Sequence, residues 1–95
     1  LCMEANSLFN LGLSEDQIKS AIIIDDNYLG KDYAVPTEAG SKAQALFAKE
    51  SGLILDSTYT AKAASGLMDY LSSNKINLDA RALFIHTGGA VGLFA

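Results

Sequence analysis

An α/β fold, part of a three-layer α/β/α domain with helices on both faces of a mostly parallel sheet, is the class this sequence predicts. Three observations predict it. Short apolar runs alternate with segments of helical periodicity: Ala21-Ile22-Ile23-Ile24, Leu53-Ile54-Leu55 and Ala82-Leu83-Phe84-Ile85 are the runs. Each run is continuously apolar rather than alternating, the pattern of strands covered on both faces. Turn-forming residues separate the runs from the periodic segments, as in successive βα units.

The elements follow in order. From Leu1 to about Leu11, the residues Leu1, Ala5, Leu8, Phe9 and Leu11 fall at helical spacing, and Gly12 is placed to end that helix in a left-handed conformation. Ser14 before Glu15-Asp16-Gln17 is a capping-box opening for a second, short helix. The run Ala21–Ile24 suits a strand whose exit turn is Asp25-Asp26-Asn27. A loop from Tyr28 to Val35 leads to Pro36. Thr37 can then cap a long helix through Ser51, with Ala39, Ala43, Leu46 and Phe47 on one face and Gly52 as its stop. Leu53–Leu55 reads as a strand, Asp56 to Thr60 as a turn, and Ala61 to Ser73 as a helix with Ala64, Leu67, Met68 and Leu71 inward. After a polar connection, Ala82–Ile85 reads as the last strand and runs through His86-Thr87-Gly88-Gly89 into a truncated helix.

With 95 residues the chain is one domain at most, or a piece of one. At 49% apolar and 19% charged residues, it is globular in composition. The net charge of -4 and the absence of any Lys/Arg cluster exclude a nucleic-acid-binding face. No apolar run is long enough to span a bilayer, so no membrane partner is expected. The single cysteine, Cys2, cannot form an internal disulfide, and the Cys/His spacings of a metal site are missing, so no metal is expected. Both ends of the chain fall inside apolar, helix-like sequence rather than in polar termini, and a fragment of a longer protein is therefore expected.

Ligands of such sheets sit beyond the carboxyl ends of the strands, which points to three segments. They are the loop carrying Tyr28 and Tyr33, the turn Asp56–Thr60, and the turn His86–Gly89. Two glycines between a strand and a helix can bring backbone N–H groups to an anion, or simply make a tight turn. Tyr33 and Tyr59 could stack on a flat cofactor or orient a substrate, or pack at a sheet edge with the hydroxyl in water. His86, the only histidine, has no identifiable catalytic partner and reads as a partly buried, hydrogen-bonded structural residue. Lys62 lies in the first turn of its helix, where the dipole disfavours a cation, and a carboxylate partner would account for it. The pair Asp25-Asp26 reads as solvated strand-end residues.

Three ordered stretches carry a resemblance: Tyr33–Gly40, Ser51–Ala63 and Leu83–Ala90. Together they resemble, in order and spacing, the C-terminal part of the D-cysteine desulfhydrase and 1-aminocyclopropane-1-carboxylate deaminase family. The resemblance spans nearly the whole chain. Ser51, Ser57, Ala61 and Val91 stand where the family usually has Glu, Pro, Gly and Pro. It implies a tryptophan synthase β-like fold, with residues 1–95 as the C-terminal portion of the large cofactor-binding domain. It implies pyridoxal 5′-phosphate as cofactor, Tyr33 and Tyr59 as active-site tyrosines, and Thr60, Thr87 and Gly88 as cofactor-binding residues, the two threonines on the pyridine-nitrogen side. Thr60 implies a desulfhydrase, a lyase releasing pyruvate, ammonia and sulfide from D-cysteine or a related amino acid, because the deaminases carry Glu at this place. An aminocyclopropane-carboxylate deaminase is the alternative within the family, and a small independent phosphate-binding α/β module is the alternative outside it. A structural or dimer-contact segment with no ligand of its own is a third reading. The resemblance also implies a cytoplasmic protein whose partners are an amino-acid substrate, the rest of the parent chain and a second copy in a homodimer. The lysine that carries the cofactor lies upstream of the matched residues, so the isolated chain is expected to be inactive.

Overall fold

The structure, a computed structural model, describes residues 1–94. The residues form four α-helices: α1 Cys2–Leu8, α2 Glu15–Ala21, α3 Glu38–Ser51 and α4 Thr60–Ser72, followed by a 3₁₀ turn over Ala90–Phe94. The helices α3 and α4 pack on one another, and α1 packs against α2.

Local chemistry explains the boundaries. The Ser14 hydroxyl accepts from the Gln17 N–H while the Gln17 side chain accepts from the Ser14 N–H, so α2 opens on a complete capping box. Thr37 Oγ1 accepts from the Gly40 N–H at 2.9 Å and opens α3, which Gly52 closes at φ 68°. Helix α1 ends earlier than its apolar spacing predicts. Asn10, at φ 51°, takes the left-handed position, and Leu11 N–H bonds back to Asn6 C=O. Gly12 therefore lies beyond the helix rather than ending it.

The predicted parallel sheet is not there. Among the described residues no strand forms, and the fold is helical with extended connections. Ala21 is the last residue of α2, and Ile22 is the first extended one, at φ -100° and ψ 122°. The runs at 22–24, 53–55 and 82–85 exchange no backbone hydrogen bonds with each other. The physical reason is that β-branched apolar residues favour an extended backbone locally, whereas a sheet exists only where a second extended segment accepts and donates the ladder. Without that ladder most of these side chains stay in water, Ile24 at 89% and Leu83 at 87% exposure, while Leu55 and Phe84 reach the small core through the α3–α4 contact instead. The three-layer α/β/α, tryptophan synthase β-like arrangement is corrected accordingly.

What core exists is small and lies between α3 and α4. Ala43, Leu55, Ala61 and Ala64 are buried, with Phe47, Met68 and Phe84 packed around them. The buried face of α3 is Gly40 and Ala43 with Phe47 half-buried, so the face is rotated by about one residue from the predicted one; Ala39 and Leu46 face solvent. At Gly40 an added side chain would lie 2.8 Å from Thr37 Oγ1, the oxygen that caps α3, and in ordinary contact with Ala61 of α4, 3.6–3.7 Å away, so glycine there spares the cap. The accessible surface is 7465 Å², against about 5,200 Å² for a compact monomer of this mass. The radius of gyration, 15.7 Å, likewise exceeds the roughly 12 Å of a compact chain of this length. The chain is open, and much apolar surface is unburied.

Candidate active site

The site is organised by the turn that enters α4. Asp56, 4% exposed, accepts at Oδ2 from the N–H groups of Thr58 (2.8 Å) and Tyr59 (2.7 Å), and at Oδ1 from the Thr60 N–H (2.9 Å) and the Thr60 hydroxyl (2.6 Å). A carboxylate at a helix start satisfies the donors that have no helical partner, and the dipole favours its charge. Burial works to raise the Asp56 pKa. The hydrogen bonds from the Thr60 hydroxyl and from the Thr60, Tyr59 and Thr58 N–H groups outweigh it, and the pKa falls to about 2. Asp56 is thus a fixed anion whose lone pairs are committed to the turn.

That turn aims Tyr59 at Tyr33. Their hydroxyl oxygens are 2.8 Å apart, and their rings meet edge-on at 6.0 Å between centroids. The hydrogen bond to Tyr33 is the main reason the Tyr59 pKa is raised. Both rings are exposed, and both line a groove of about 330 Å³ with Leu29, Asp32, Thr58 and Lys62. The loop that brings Tyr33 across is held from α4: Lys62 Nζ donates to the backbone carbonyls of Leu29 (2.7 Å) and Asp32 (3.3 Å). A larger apolar groove of about 630 Å³ adjoins it and shares Tyr59 and Lys62.

The predicted cofactor residues lie in two groups. Thr60 is 2% exposed, with its hydroxyl proton given to Asp56. Thr87 is exposed. The Gly88 N–H donates to His86 Nδ1 at 3.1 Å, which leaves Nε2–H of His86 to donate to the Ile54 carbonyl at 2.9 Å. His86 is therefore a strap between two connections, hydrogen-bonded as its structural reading expects but exposed rather than partly buried. Gly89, at φ 91°, sits against Asp56: a side chain there would come within 2.6 Å of the carboxyl group. Asp56 so joins the turn at 56–60 to the turn at 86–89.

Sequence reasoning singled out the turn Asp56–Thr60 but gave Asp56 itself no role. The available signal was an acidic residue four positions before a threonine that opens a helix. It also read Asp25 as a solvated strand end, whereas Asp25 Oδ2 accepts from the Tyr70 hydroxyl at 2.6 Å and Oδ1 accepts from Asn27. With the Tyr28 hydroxyl on Asp69, these bonds clamp the segment after α2 onto the far half of α4. Among the described residues no cluster of His, Cys, Asp and Glu could hold a metal ion. No helix among them is long and apolar enough to cross a membrane.

No family model matches the chain. Over 70 residues, 74% of this chain, it is 49% identical to the proteins named D-cysteine desulfhydrase from Salmonella paratyphi B, Salmonella newport and Salmonella heidelberg. The chain is similar to D-cysteine desulfhydrases. It spans about a fifth of the length of the curated relatives it matches, 21% of each. A continuous 70-residue match within 95 residues always includes positions 26–70. The similarity to D-cysteine desulfhydrase therefore extends over Tyr33, Asp56, Tyr59, Thr60 and Lys62, the residues that build the groove and its supporting turn.

Proposed function

We propose that this chain is the C-terminal portion of a pyridoxal-phosphate-dependent lyase that acts on D-cysteine or a related β-substituted amino acid, and that it supplies one wall of the active site. The observation that carries the reading is the Tyr33–Tyr59 hydroxyl pair, built from residues 26 apart and exposed at a groove. It lies within a stretch similar to D-cysteine desulfhydrases. The reaction consumes one water and releases pyruvate, ammonia and hydrogen sulfide.

The donor set fits a flat heteroaromatic cofactor in part. Two phenol rings offer walls, and the exposed Thr87 hydroxyl is free to meet a ring nitrogen. Thr60 Oγ1 has given its proton to Asp56 and keeps only acceptor capacity. The Gly88 N–H is taken by His86, so a phosphate cradle belongs to other parts of the parent protein. The cofactor, when bound, supplies the electron sink for breaking the bond to the β-substituent. The chain's own task is positional. Tyr59, with its pKa raised, keeps its proton at neutral pH and holds it at Oη. Because one hydroxyl of the pair donates to the other, a single O–H is left to point at a ligand, and Asp56 fixes where that happens.

The test is steady-state turnover of D-cysteine by the full-length protein carrying this chain, with pyruvate and sulfide both assayed. Equimolar release supports the lyase. Release of 2-oxobutanoate from 1-aminocyclopropane-1-carboxylate, with no reaction of D-cysteine, would show the deaminase instead.

A further inference from the structure

The contacts that hold the tyrosine pair run in one order along α4. Tyr59 at its N-cap, then Lys62, Gly66 and the adjacent Asp69 and Tyr70, follow at steps of three or four positions and share one face of the helix. Segment 25–33 lies along that face in the opposite direction. Asp25 Oδ2 accepts from the Tyr70 hydroxyl, and the Tyr28 hydroxyl donates to Asp69. The Tyr28 and Tyr70 rings meet edge-on at 6.3 Å between centroids, which braces the two bonds against each other. One turn nearer the site the Tyr28 ring covers Gly66, where a side chain would come within 3.0 Å of it. A further turn on, Lys62 Nζ holds the carbonyls of Leu29 and Asp32. Among the described residues its partners are these carbonyls and not the carboxylate expected from its place in the helix. Tyr33 then reaches Tyr59.

We infer that this face of α4 grips segment 25–33 as one unit and so sets the Tyr33 hydroxyl at Tyr59, which makes Tyr28, Gly66 and Asp69 positioning residues that act through Tyr33. The inference rests on the lyase reading for the reaction alone; the grip consists of contacts within these residues. The loop's own backbone bonds are long turn contacts, Leu29 N–H to Asp26 C=O and Val35 N–H to Asp32 C=O, both 3.3 Å. Such turns fix local shape but not place. Place comes from α4, and a 2.8 Å hydroxyl contact tolerates a drift of only about 0.3 Å before it weakens. Gly66 is the telling position. Alanine is preferred to glycine inside a helix, so helix formation gives no reason for a glycine there, whereas the Tyr28 ring lying on the helix does.

The experiment labels the full-length protein with tyrosine carrying an NMR isotope at Cζ, and the Tyr59 resonance is assigned by its loss in Tyr59→Phe. Turnover of D-cysteine is measured on the same proteins. Tyr28→Phe removes only the hydroxyl on Asp69 and should move the Tyr59 resonance toward its position in Tyr33→Phe. It should also lower kcat by about tenfold, since misplacement by about an ångström costs up to about a hundredfold. Gly66→Ala should do the same with no loss of stability, because alanine is the better helix former. In the Tyr33→Phe background either change should cost no more than about twofold further, because its effect passes through Tyr33. Asp69→Ala should follow Tyr28→Phe, while Asp69→Asn, which keeps an oxygen for the Tyr28 hydroxyl, should restore both readouts. A Tyr59 resonance unmoved in Tyr28→Phe and Gly66→Ala overturns the grip, and so does a fully additive loss of turnover in the Tyr33→Phe background. Should Tyr28→Phe fail to fold, Gly66→Ala decides alone by the same two readouts. The resonance reads the contact without the reaction. A full-length protein that leaves D-cysteine unchanged therefore sinks the lyase reading, and the resonance still decides the grip.

Discussion

Asp56 and Thr60 bond to each other in both directions: the Thr60 hydroxyl donates to Asp56 Oδ1 at 2.6 Å, and the Asp56 N–H donates to the Thr60 hydroxyl at 2.8 Å. This reciprocal closure sets the direction of α4, the height of Tyr59 and the seat of Gly89. Substitution of Asp56 by Ala leaves three N–H groups without an acceptor in a buried turn. A loss of about 2–3 kcal/mol is expected in the denaturation midpoint of the full-length protein. A change below about 0.5 kcal/mol would mean that water satisfies the turn unaided.

The same carboxylate gives the turn an acid limit. Its folded pKa, about 2, lies below the ordinary 3.8, so its contribution is fully present above pH 3.8 and is lost as the pH falls toward 2. Amide exchange at Thr58, Tyr59 and Thr60 should accelerate in that window, relative to α3, and should be insensitive to that acid step in Asp56→Ala. Equal behaviour of the two proteins would detach the acid step from Asp56.

Tyr33 and Tyr59 share one hydrogen bond, which makes their substitutions non-additive. Tyr59→Phe is expected to lower turnover of D-cysteine by one or more orders of magnitude, the scale of a positioned proton donor, with folding nearly intact. Tyr33→Phe should act in the same direction, and the double variant should lose less than the product of the two. Full activity in Tyr59→Phe would return both rings to a packing role.

Gly89→Ala tests the junction between the two turns. The added methyl group would meet the Asp56 carboxyl at 2.6 Å, on a backbone at φ 91° that side chains rarely adopt. Destabilisation of about 1–3 kcal/mol is expected. Gly12→Ala is the control, because a side chain there meets nothing within 4 Å even though φ is 69°. It should cost less, by thermal denaturation of both variants.

The sequence made the helix starts legible because capping is local. Ser14 with Gln17, and Thr37 with Gly40, need only residues within three positions of each other. Helix ends were harder: Asn10 rather than Gly12 took the left-handed place, a competition between two residues that both tolerate it. The strands misled because the runs at 22–24, 53–55 and 82–85 specify an extended backbone but name no partner. The tyrosine pair could be singled out residue by residue, yet its hydroxyl contact depends on a loop that Lys62 ties down from 30 or more positions away. The turn at 56–60 was singled out, but the part Asp56 plays in holding it stayed hidden, because an acidic residue before a helix usually reads as a solvated turn.

Isolation of the chain tests the wall reading most directly. The purified 95 residues are incubated with pyridoxal phosphate and D-cysteine beside the full-length protein, and pyruvate and sulfide are assayed in both. Turnover is expected only in the full-length protein, and borohydride reduction with peptide mapping should mark no single preferred lysine in the short chain. The chemistry needs a covalent lysine and a phosphate cradle in addition to the groups gathered here. Steady release of pyruvate and sulfide by the short chain above a free-cofactor blank, or stoichiometric labelling of one lysine such as Lys62, would contradict it.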